Sequence, residues 1–576
     1  MVIASAVKPS FYQDSLSLLR LARELKGHAG VDEVTALMGT PANKQLLADA
    51  GLLTPEGDKA GSNDLVMVVR AVSAAEAESA LARAEILLTE SRRMLETAVR
   101  ALPRTLDSAL RQLPAANLAL ISVPGTWATA EARRALRRGL HVMLFSDNVP
   151  VEDEIALKRE ALDAGCLLMG PDCGTAILNG TALGFANAVP RGAVGLVAAS
   201  GTGLQQVVTL LASVGEGVSH AIGVGGRDGS AAVGGLMTLA ALDALGGDSS
   251  TDTLVVVGKP PAPDVRRRIE ARVREIGKPG VLALLGADVA PGRDGNVITV
   301  TTLEDAAHAA TALRRGLVWA PVTFTAPREE IEGRARALSA RLEAGRRRIL
   351  GLYAGGTLAQ EARLILEPLA RAEIVDLGAD EYTVGRPHPM LDSSFRVEKI
   401  REAAQAADLA VLLLDVVLGY GVAPDPAGDL ADAIATVARR AAVVASVVGT
   451  PEDPQGYAGQ VEQLEAAGAW VLPSNAQAAR AAALLAAQAP SGLASWPPGE
   501  ARPSGEAPRR RVSPVSLDRA PIAELLRSQV CVVNLGLEAL ALDLARRDVA
   551  VVHVAWSPPA GGDSRLASLL TQLDDG

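Results

Sequence analysis

The feature that most constrains this chain is a repeated alternation of a short aliphatic run, a turn rich in glycine or proline, and an amphipathic helix. Asn117-LALISVP leads into a helical stretch over 128–139. His141-VMLFSD is followed by helical spacing over 152–165, and Cys166-LLMGPDCGT runs into a Gly/Pro loop. The pattern recurs in Gly195-LVAASGTG, with a helix over 204–214, and in Ala221-IGVGGRD, Thr253-LVVVG and Gly280-VLALLG. It returns in Arg348-ILGLYAGGT, Ala410-VLLLDVVLG and Ala442-VVASVVG. Apolar runs without polar alternation are strands buried on both faces, and intervening helices make such strands parallel. Parallel sheets gather ligands at the carboxyl ends of their strands, so the loops after these runs are where chemistry is expected.

The 576 residues allow about four domains of ~150 residues each. The alternation sharpens this into an amino-terminal α/β unit over 1–110, a βα unit over 111–190, two αβ blocks over 191–322 and 347–488, and a short closing module over 516–576. A charged helical connector over 323–346 and a Pro/Gly/Ser-rich linker over 489–515 separate them. In the first unit, Asp14–Lys26 and Ala75–Leu102 have helical spacing, and Val34–Met38 and Leu65–Val72 read as strands. The closing module holds two strands, Val530-CVVNLG and Val549-AVVHVAW, around one helix. The two large blocks read as an internal repeat. Ser200-Gly-Thr-Gly precedes Gly223-Val-Gly-Gly-Arg-Asp in one, and Ala354-Gly-Gly-Thr precedes Asp376-Leu-Gly-Ala-Asp at similar spacing in the other.

Composition excludes several function classes. Aromatics are 3 % of the chain, so no stacking platform for single-stranded nucleic acid is expected, and a net charge of −10 gives no basic footprint for nucleic acid or anionic membrane. Three cysteines, Cys166, Cys173 and Cys531, make no disulfide framework and fit a reducing compartment. The amino terminus lacks the basic and apolar regions of a signal peptide, and no run reaches about 18 apolar residues. The expected location is the cytoplasm. The six histidines form no HxxxH or Cys/His cluster, so no metal site is expected, and no Walker A motif is present.

Ser200-Gly201-Thr202-Gly203 and Gly355-Gly356-Thr357 each end a strand and open a helix. Small residues there let a ligand approach the unpaired backbone N–H groups, and the helix dipole favours an anion. A matched pair of such turns in repeated blocks is suited to clamp one phosphoryl or acyl-phosphate group. The competing reading is that each glycine merely permits a tight turn. In Gly170-Pro171-Asp172-Cys173-Gly174-Thr175, Asp172 and Thr175 are candidates for a polar ligand and Cys173 lies beside them, without a histidine at the spacing of a Cys–His pair. In Gly385-Arg386-Pro387-His388-Pro389-Met390, two prolines fix a loop in which Arg386 offers a bidentate anion donor and His388 a titratable ring, although a rigid surface turn would look the same. Asp415 and Asp425 end strands at this edge and are candidates for orienting a ligand or a partner subunit. Arg227 and Lys259 complete the set of cation candidates.

These loops resemble the succinyl-CoA synthetase superfamily over about 111–488. Cys166-LLMGPDCGTAI, Gly195-LVAASGTGLQQVV, Gly215-EGVSHAIGVGGRD and Gly258-KP are similar to its α subunit. Gly351-LYAGGTLAQEA, Leu377-GAD, Leu412-LLDVVLG and Val447-VGTPEDP are similar to the carboxyl-terminal domain of its β subunit. The resemblance implies an α/β fold of several parallel-sheet Rossmann-like and flavodoxin-like domains. It also implies a phosphate held between α- and β-derived helix ends, the clamp read above at Ser200 and Gly355. CoA is the ligand it implies, near Val123-Pro124-Gly125-Thr126, Ser146–Asn148 and Gly170–Thr175, with Pro171, Asp172, Cys173 and Thr175 as the candidate residues of the last.

A closer resemblance, over nearly the whole chain, is to the FdrA family of acyl-CoA synthetase-like proteins. It is carried by Met38-GTPANKQLLADAGLLTPE, Asn63-DLVMVV, Val123-PGTWATAEARRALRRGLHVMLFSDNVP, Gly385-RPHPMLD, Val533-NLGLEAL and His553-VAWSPPAGGDSRL. That resemblance implies a subunit of a carbamoyl- or acyl-transferring complex of the oxamate carbamoyltransferase type. Such a complex has two companion subunits and interconverts carbamoyl phosphate plus oxamate with oxalurate plus phosphate; a homodimer is the simpler assembly. The chain departs from the synthetase pattern in Gly286-ADVAPGRDGNVI, which has no histidine where the family carries a phosphorylated one, and in Lys259, which stands near the position of the supporting glutamate. The first glycine-rich CoA loop and the nucleotide-grasp portion have no counterpart. The only Gly-His-Ala-Gly, at 27–30, lies outside any matching context. These departures argue against ATP use and against a phosphohistidine relay. The leading expectation is therefore carbamoyl or acyl transfer on a phosphate clamp, with acyl-CoA synthesis from a small carboxylate as the alternative and a non-catalytic scaffold subunit as the third reading.

Overall fold

Every residue of the strand Leu65–Ala71 except Arg70 is buried, which requires cover on both faces. Leu65 and Met67 pack with Leu18, Leu21 and Leu25 of the helix Ser15–Lys26, and Val66 and Val68 pack with Leu47 and Leu52 on the opposite face. This strand is accordingly the centre of a three-stranded antiparallel sheet, between Val2–Lys8 and Val31–Met38. Val2–Lys8 was not expected as a strand. It is a half-exposed edge whose short alternation of Ile, Ala, Ser and Val gives little local signal. The long helix Ala74–Ala98 follows.

The structure is a computed structural model that describes residues 1–26, 28–98, 102–343, 345–369, 371–383, 387–487, 520–562 and 566. The expected linker over 489–515 lies outside the described residues. The chain divides into two units, one chiefly Met1–Ala135 with Cys531–Gly576, the other chiefly Leu136–Val384 with His388–Val530.

In the first unit the closing segment does not stand as a module by itself. Val532–Leu535 pairs in parallel with Leu118–Ile121 on one side and with Val551–Val554 on the other. Two strands and one helix, Glu538–Arg546, cannot cover their own apolar faces, and pairing with Leu118–Ile121 removes the open edge. The ladder is latched at both ends. Asn117 Oδ1 accepts the Cys531 N–H at 2.9 Å, and Ser122 Oγ accepts the Leu537 N–H at 2.8 Å.

The second unit carries two large sheets. The strand order of the first is Gly292–Asp294, Val297–Thr299, Gly280–Leu284, Thr253–Gly258, Arg191–Ala198, Val218–Gly223, then the hairpin Thr175–Leu178 and Thr181–Gly184. Its middle is parallel, and the hairpin is an antiparallel addition at one edge. The other sheet is parallel throughout, in the order Ala372–Asp376, Arg348–Tyr353, Leu409–Val417, Ala442–Val448, Ala469–Leu472. All residues of Leu409–Val417 are buried. Val411 and Leu413 point into one core, Leu412 and Leu414 into another. The first of these cores is shared by both sheets. The helices Gly201–Ser213, Leu303–Arg315, Gly356–Leu366 and Asn475–Ala487 contribute to it. This explains why Gly201–Ser213 is buried on nearly all sides and why glutamines inside it must find polar partners.

Candidate functional site

Ser200 follows the strand Arg191–Ala198 in extended backbone, and its Oγ accepts the Gly203 N–H at 2.9 Å, capping the helix Gly201–Ser213. The same Oγ lies 2.5 Å from Oγ1 of Thr357, in the first turn of Gly356–Leu366. Two helix amino termini from two different sheets thus meet hydroxyl to hydroxyl. Glycine permits the approach. A Cβ on Gly203 would stand 3.1 Å from Thr357 Cγ2, and one on Gly355 would stand 3.0 Å from Thr202 Cβ. The ladder of the first helix begins with Leu204 N–H to Ser200 O at 3.1 Å, and that of the second with Ala359 N–H to Gly355 O at 2.9 Å. The N–H groups of Gly201, Thr202, Gly356 and Thr357 precede those ladders and lie at the positive ends of both helix dipoles.

Asp415, expected to orient a ligand or a partner, instead holds the turn. Its Oδ1 accepts the Ala354 N–H and its Oδ2 the Gly355 N–H, both at 2.8 Å. Its charge is met by buried Arg396, whose Nη2 is 2.7 Å from Oδ1 and which also donates to the Leu352 and Asp415 carbonyls. Gly355 therefore shapes the clamp, but its N–H is already taken. Asp425 caps its own helix, with the Gly428 N–H at 3.2 Å.

Asp376 ends the neighbouring strand, and its Oδ1 accepts the Gly378 N–H at 3.0 Å. A Cβ on Gly356 would meet its Oδ2 at 2.6 Å, so this carboxyl lies beside the second helix end. Burial, reinforced by Asp415, raises it above the usual carboxylate range, opposed by the Gly378 N–H, Lys259 and Arg363. Lys259, itself exposed, thus acts electrostatically on the clamp's acidic neighbour. His388 reaches the same place. Its Nε2 is 2.7 Å from where a Gly378 Cβ would be, and its ring centroid is 6.2 Å from that of Phe185. The Met390 N–H donates to its Nδ1 at 3.2 Å, which assigns the proton to Nε2, and burial lowers the ring to about 4, so it is neutral at pH 7. Arg386 lies outside the described residues. Thr175 packs under the Ser200 turn. Its hydroxyl donates to the Phe185 carbonyl at 2.7 Å and lies 3.1 Å from a Cβ position on Gly201.

A second group forms around Asp172. Its N–H donates to the Ser146 carbonyl at 2.9 Å, and both Asp172 (φ 57°) and Asn148 (φ 53°) are left-handed. The side chain is open to solvent but crowded. Loss of hydration, together with Asp147, Asp380 and Glu154, raises the carboxyl to about 6 against the pull of Arg227. Arg227 is itself held by Glu154 Oε2, 2.9 Å from its Nε, and by the Val149 carbonyl at 2.7 Å. Below it Lys158, fully buried, reaches Glu154 Oε1 at 2.7 Å and Asp228 Oδ1 at 2.8 Å. This ionic network was not anticipated. Glu154, Leu157, Lys158 and Ala161 are the buried positions of one helix, and charges standing on that apolar stripe were the available signal.

Other expectations are corrected. The Cys173 thiol is buried against the backbone at Thr175 and Gly223, and burial pushes it up to about 12, which keeps it a buried, protonated thiol rather than an exposed thiolate. Pro171 and Ser146 are buried, leaving Asp147, Asn148 and Asp172 as the exposed residues of these loops. Val123, Pro124 and Gly125 lie in the first unit, Val123 and Gly125 buried. Among the described residues no group of three or more His, Cys, Asp or Glu is placed to hold a metal ion, and no helix is long and apolar enough to cross a membrane.

Residues 352–485 match the CoA-ligase family model, and residues 1–101 match the model described as AllF, heavy metal-associated domain. Residues 1–101 contain no cysteine, and their one histidine, His28, pairs with Ser79 Oγ at 3.1 Å, so this segment offers no thiolate ligand and no histidine pair for a heavy metal. The uncharacterized protein YahF of Escherichia coli is 36 % identical over 504 residues, 82 % of this chain and 97 % of YahF. Subunit alpha 2 of the ADP-forming succinate–CoA ligase of Archaeoglobus fulgidus is 31 % identical over 182 residues, 31 % of this chain and 62 % of that subunit. Among solved structures, the apo dinucleotide-forming acetyl-coenzyme A synthetase 1 of Ca. Korarchaeum cryptofilum aligns over 65 % of this chain and 83 % of its own, at 18 % identity and a TM-score of 0.26.

Proposed function

Since the chain belongs to the family of YahF, acyl-CoA synthetase-like proteins of the succinyl-CoA synthetase superfamily, we propose that it moves an acyl group between phosphate and the thiol of CoA. The observation that carries this is the meeting of the two helix ends, Ser200 Oγ 2.5 Å from Thr357 Oγ1. The phosphoryl oxygens of an acyl phosphate sit on the first-turn N–H groups of Gly201, Thr202, Gly356 and Thr357. The thiol sulfur attacks the acyl carbon, the bond from that carbon to the phosphate oxygen breaks, and phosphate leaves with the electron pair and the thiol proton. The chain supplies positioning and fixed dipoles rather than a covalent intermediate. Arg227, whose side chain is 47 % exposed beside Glu154, is the cation on offer to the carboxylate of a small substrate.

Incubating the full chain with CoA and acetyl or succinyl phosphate, and following thioester absorbance, tests this. Thioester forms with the parent chain and falls at least tenfold, roughly 1.4 kcal/mol of transition-state stabilisation, in Thr357→Val. Absence of thioester together with absence of CoA binding by calorimetry overturns it.

The second reading is carbamoyl transfer of the oxamate carbamoyltransferase type, with companion subunits. In its favour, Gly286-ADVAPGRDGNVI carries no histidine and Lys259 stands after the strand Thr253–Gly258. The matched CoA-ligase model favours acyl-CoA chemistry over it. Oxamate-dependent release of phosphate from carbamoyl phosphate, with no use of CoA, is the result that selects this second reading.

A further inference from the structure

Asn475 opens the helix Asn475–Ala487 and is fully buried. Its Nδ2 donates to the Leu358 carbonyl at 2.9 Å and to Glu361 Oε2 at 2.7 Å, its Oδ1 accepts the Tyr353 hydroxyl at 3.0 Å, and its backbone N–H donates to Gln206 Oε1 at 3.3 Å. Tyr353 precedes the Gly355–Thr357 turn and Leu358 follows it, so one amide grips the chain on both sides of that turn. Gln206 belongs to the helix that Ser200 caps. The far end of the network is fixed as well, since Glu361 Oε1 accepts the Leu303 N–H at 2.6 Å.

We propose that Asn475 is the positioning residue that sets the Gly356 helix end against Ser200 and thereby sets the affinity of the clamp for phosphate-bearing ligands. Only its second clause rests on the function proposed above. The donor set is specific. Two N–H donors and one acceptor in a plane are what an amide offers. An aspartate could not donate to the Leu358 carbonyl and would place a second carboxylate against Glu361. An alanine would leave Tyr353, Leu358 and Glu361 each short of a buried partner.

Two measurements on the full chain test the proposal. In the first, Ser200→Cys and Thr357→Cys are introduced together and disulfide formation is timed. Two side chains already in contact should cross-link readily, and adding Asn475→Ala should slow the reaction about tenfold, equivalent to roughly 1.4 kcal/mol in the population of the aligned state. In the second, binding of inorganic phosphate is measured by calorimetry. Asn475→Ala should weaken it about tenfold, with Asn475→Gln, which keeps both donors and the acceptor, recovering part of the loss. Leu485→Ala, a cavity in the same helix, should leave it within about twofold. Cross-linking at the parent rate in Asn475→Ala overturns the positioning role. If Asn475→Ala does not fold, the same reading is taken from Asn475→Gln and Asn475→Asp, whose equal rates would overturn it too. Slowed cross-linking in a chain that binds no phosphate leaves the positioning role standing and removes the proposed function.

Discussion

Asp415→Asn is the sharpest perturbation of the clamp that preserves shape. The Asp415 carboxylate is fully buried and receives three donors, the N–H groups of Ala354 and Gly355 at 2.8 Å each and Arg396 Nη2 at 2.7 Å. Asparagine offers one acceptor oxygen, so at least one backbone N–H faces an NH2 group, and the Arg396 charge loses its counterion. Breaking a buried pair costs about 3–5 kcal/mol, and an orphaned buried donor about 1–3 kcal/mol, largely overlapping here. Arg396 keeps its bonds to the Leu352 and Asp415 carbonyls, so the lower end, about 3 kcal/mol, is the expected local loss. Hydrogen exchange followed by mass spectrometry reads it directly. Peptides covering Ala354 and Gly355 should exchange about a hundredfold faster, and peptides in the three-stranded sheet at Leu65–Ala71 should not change. Protection at Ala354 and Gly355 within about threefold of the parent would show that the turn is held by something other than this pair.

Glu361, buried and raised to about 7 from 4.5, is favoured neutral by the fold; its stabilising share is complete below 4.5 and is lost as pH rises through 7, so the parent should lose about 3 kcal/mol between pH 4 and pH 8 in denaturant titrations, a pH-dependent loss that Glu361→Gln, which does not titrate, should not show. Cys173 should resist iodoacetamide at pH 8 in the native chain while the half-buried Cys531 is alkylated, as read by peptide mass spectrometry; rapid labelling of Cys173 contradicts its placement. Asp376, raised by burial beside the Gly356 helix end, should take up a proton when phosphate binds, seen as buffer-dependent binding heats that Asp376→Asn abolishes; equal heats in all buffers for the parent contradict it.

The parallel sheets were legible because their strands, such as Leu409–Val417, are aliphatic runs broken at most by one polar residue, here Asp415, and strands covered on both faces bury such runs. The turns at Ser200 and Gly355 were legible because small residues between a strand and a helix leave few alternatives. Their contact was suggested only by the repeat, since nothing local says that Ser200 and Thr357 touch. What sequence could not give is long-range or hidden in plain residues. Val532–Leu535 carries no mark of its partner Leu118–Ile121. Asp415 looked like a ligand group because an aspartate at a strand end ordinarily faces outward, yet its two oxygens are spent on the backbone of the next strand's turn. Arg396 and Asn475 give no signal at all, because a lone polar residue on an Ala-rich or charged helix reads as surface. Cys173 misled in the opposite direction, as a thiol in a glycine loop that turns inward under Gly223.

On the proposed reading, a chain of net charge −10 that handles anions must separate two uses of its backbone dipoles. At the Gly355 turn that separation is explicit. The N–H groups of Ala354 and Gly355 are consumed by the protein's own carboxylate, which fixes the turn, and those of Gly356 and Thr357 precede the helix ladder. Arg396 neutralises the internal carboxylate from behind, so the site need not bear its charge. Asp376 has no such dedicated partner. Lys259 and Arg363 act on it only through space, and burial holds its proton more tightly than in water. An incoming phosphate therefore competes with one acidic neighbour that has been buffered and one that has not. On the proposed reading, the protonation of Asp376 and the reach of Lys259 act on the clamp's affinity alongside the alignment of its donors.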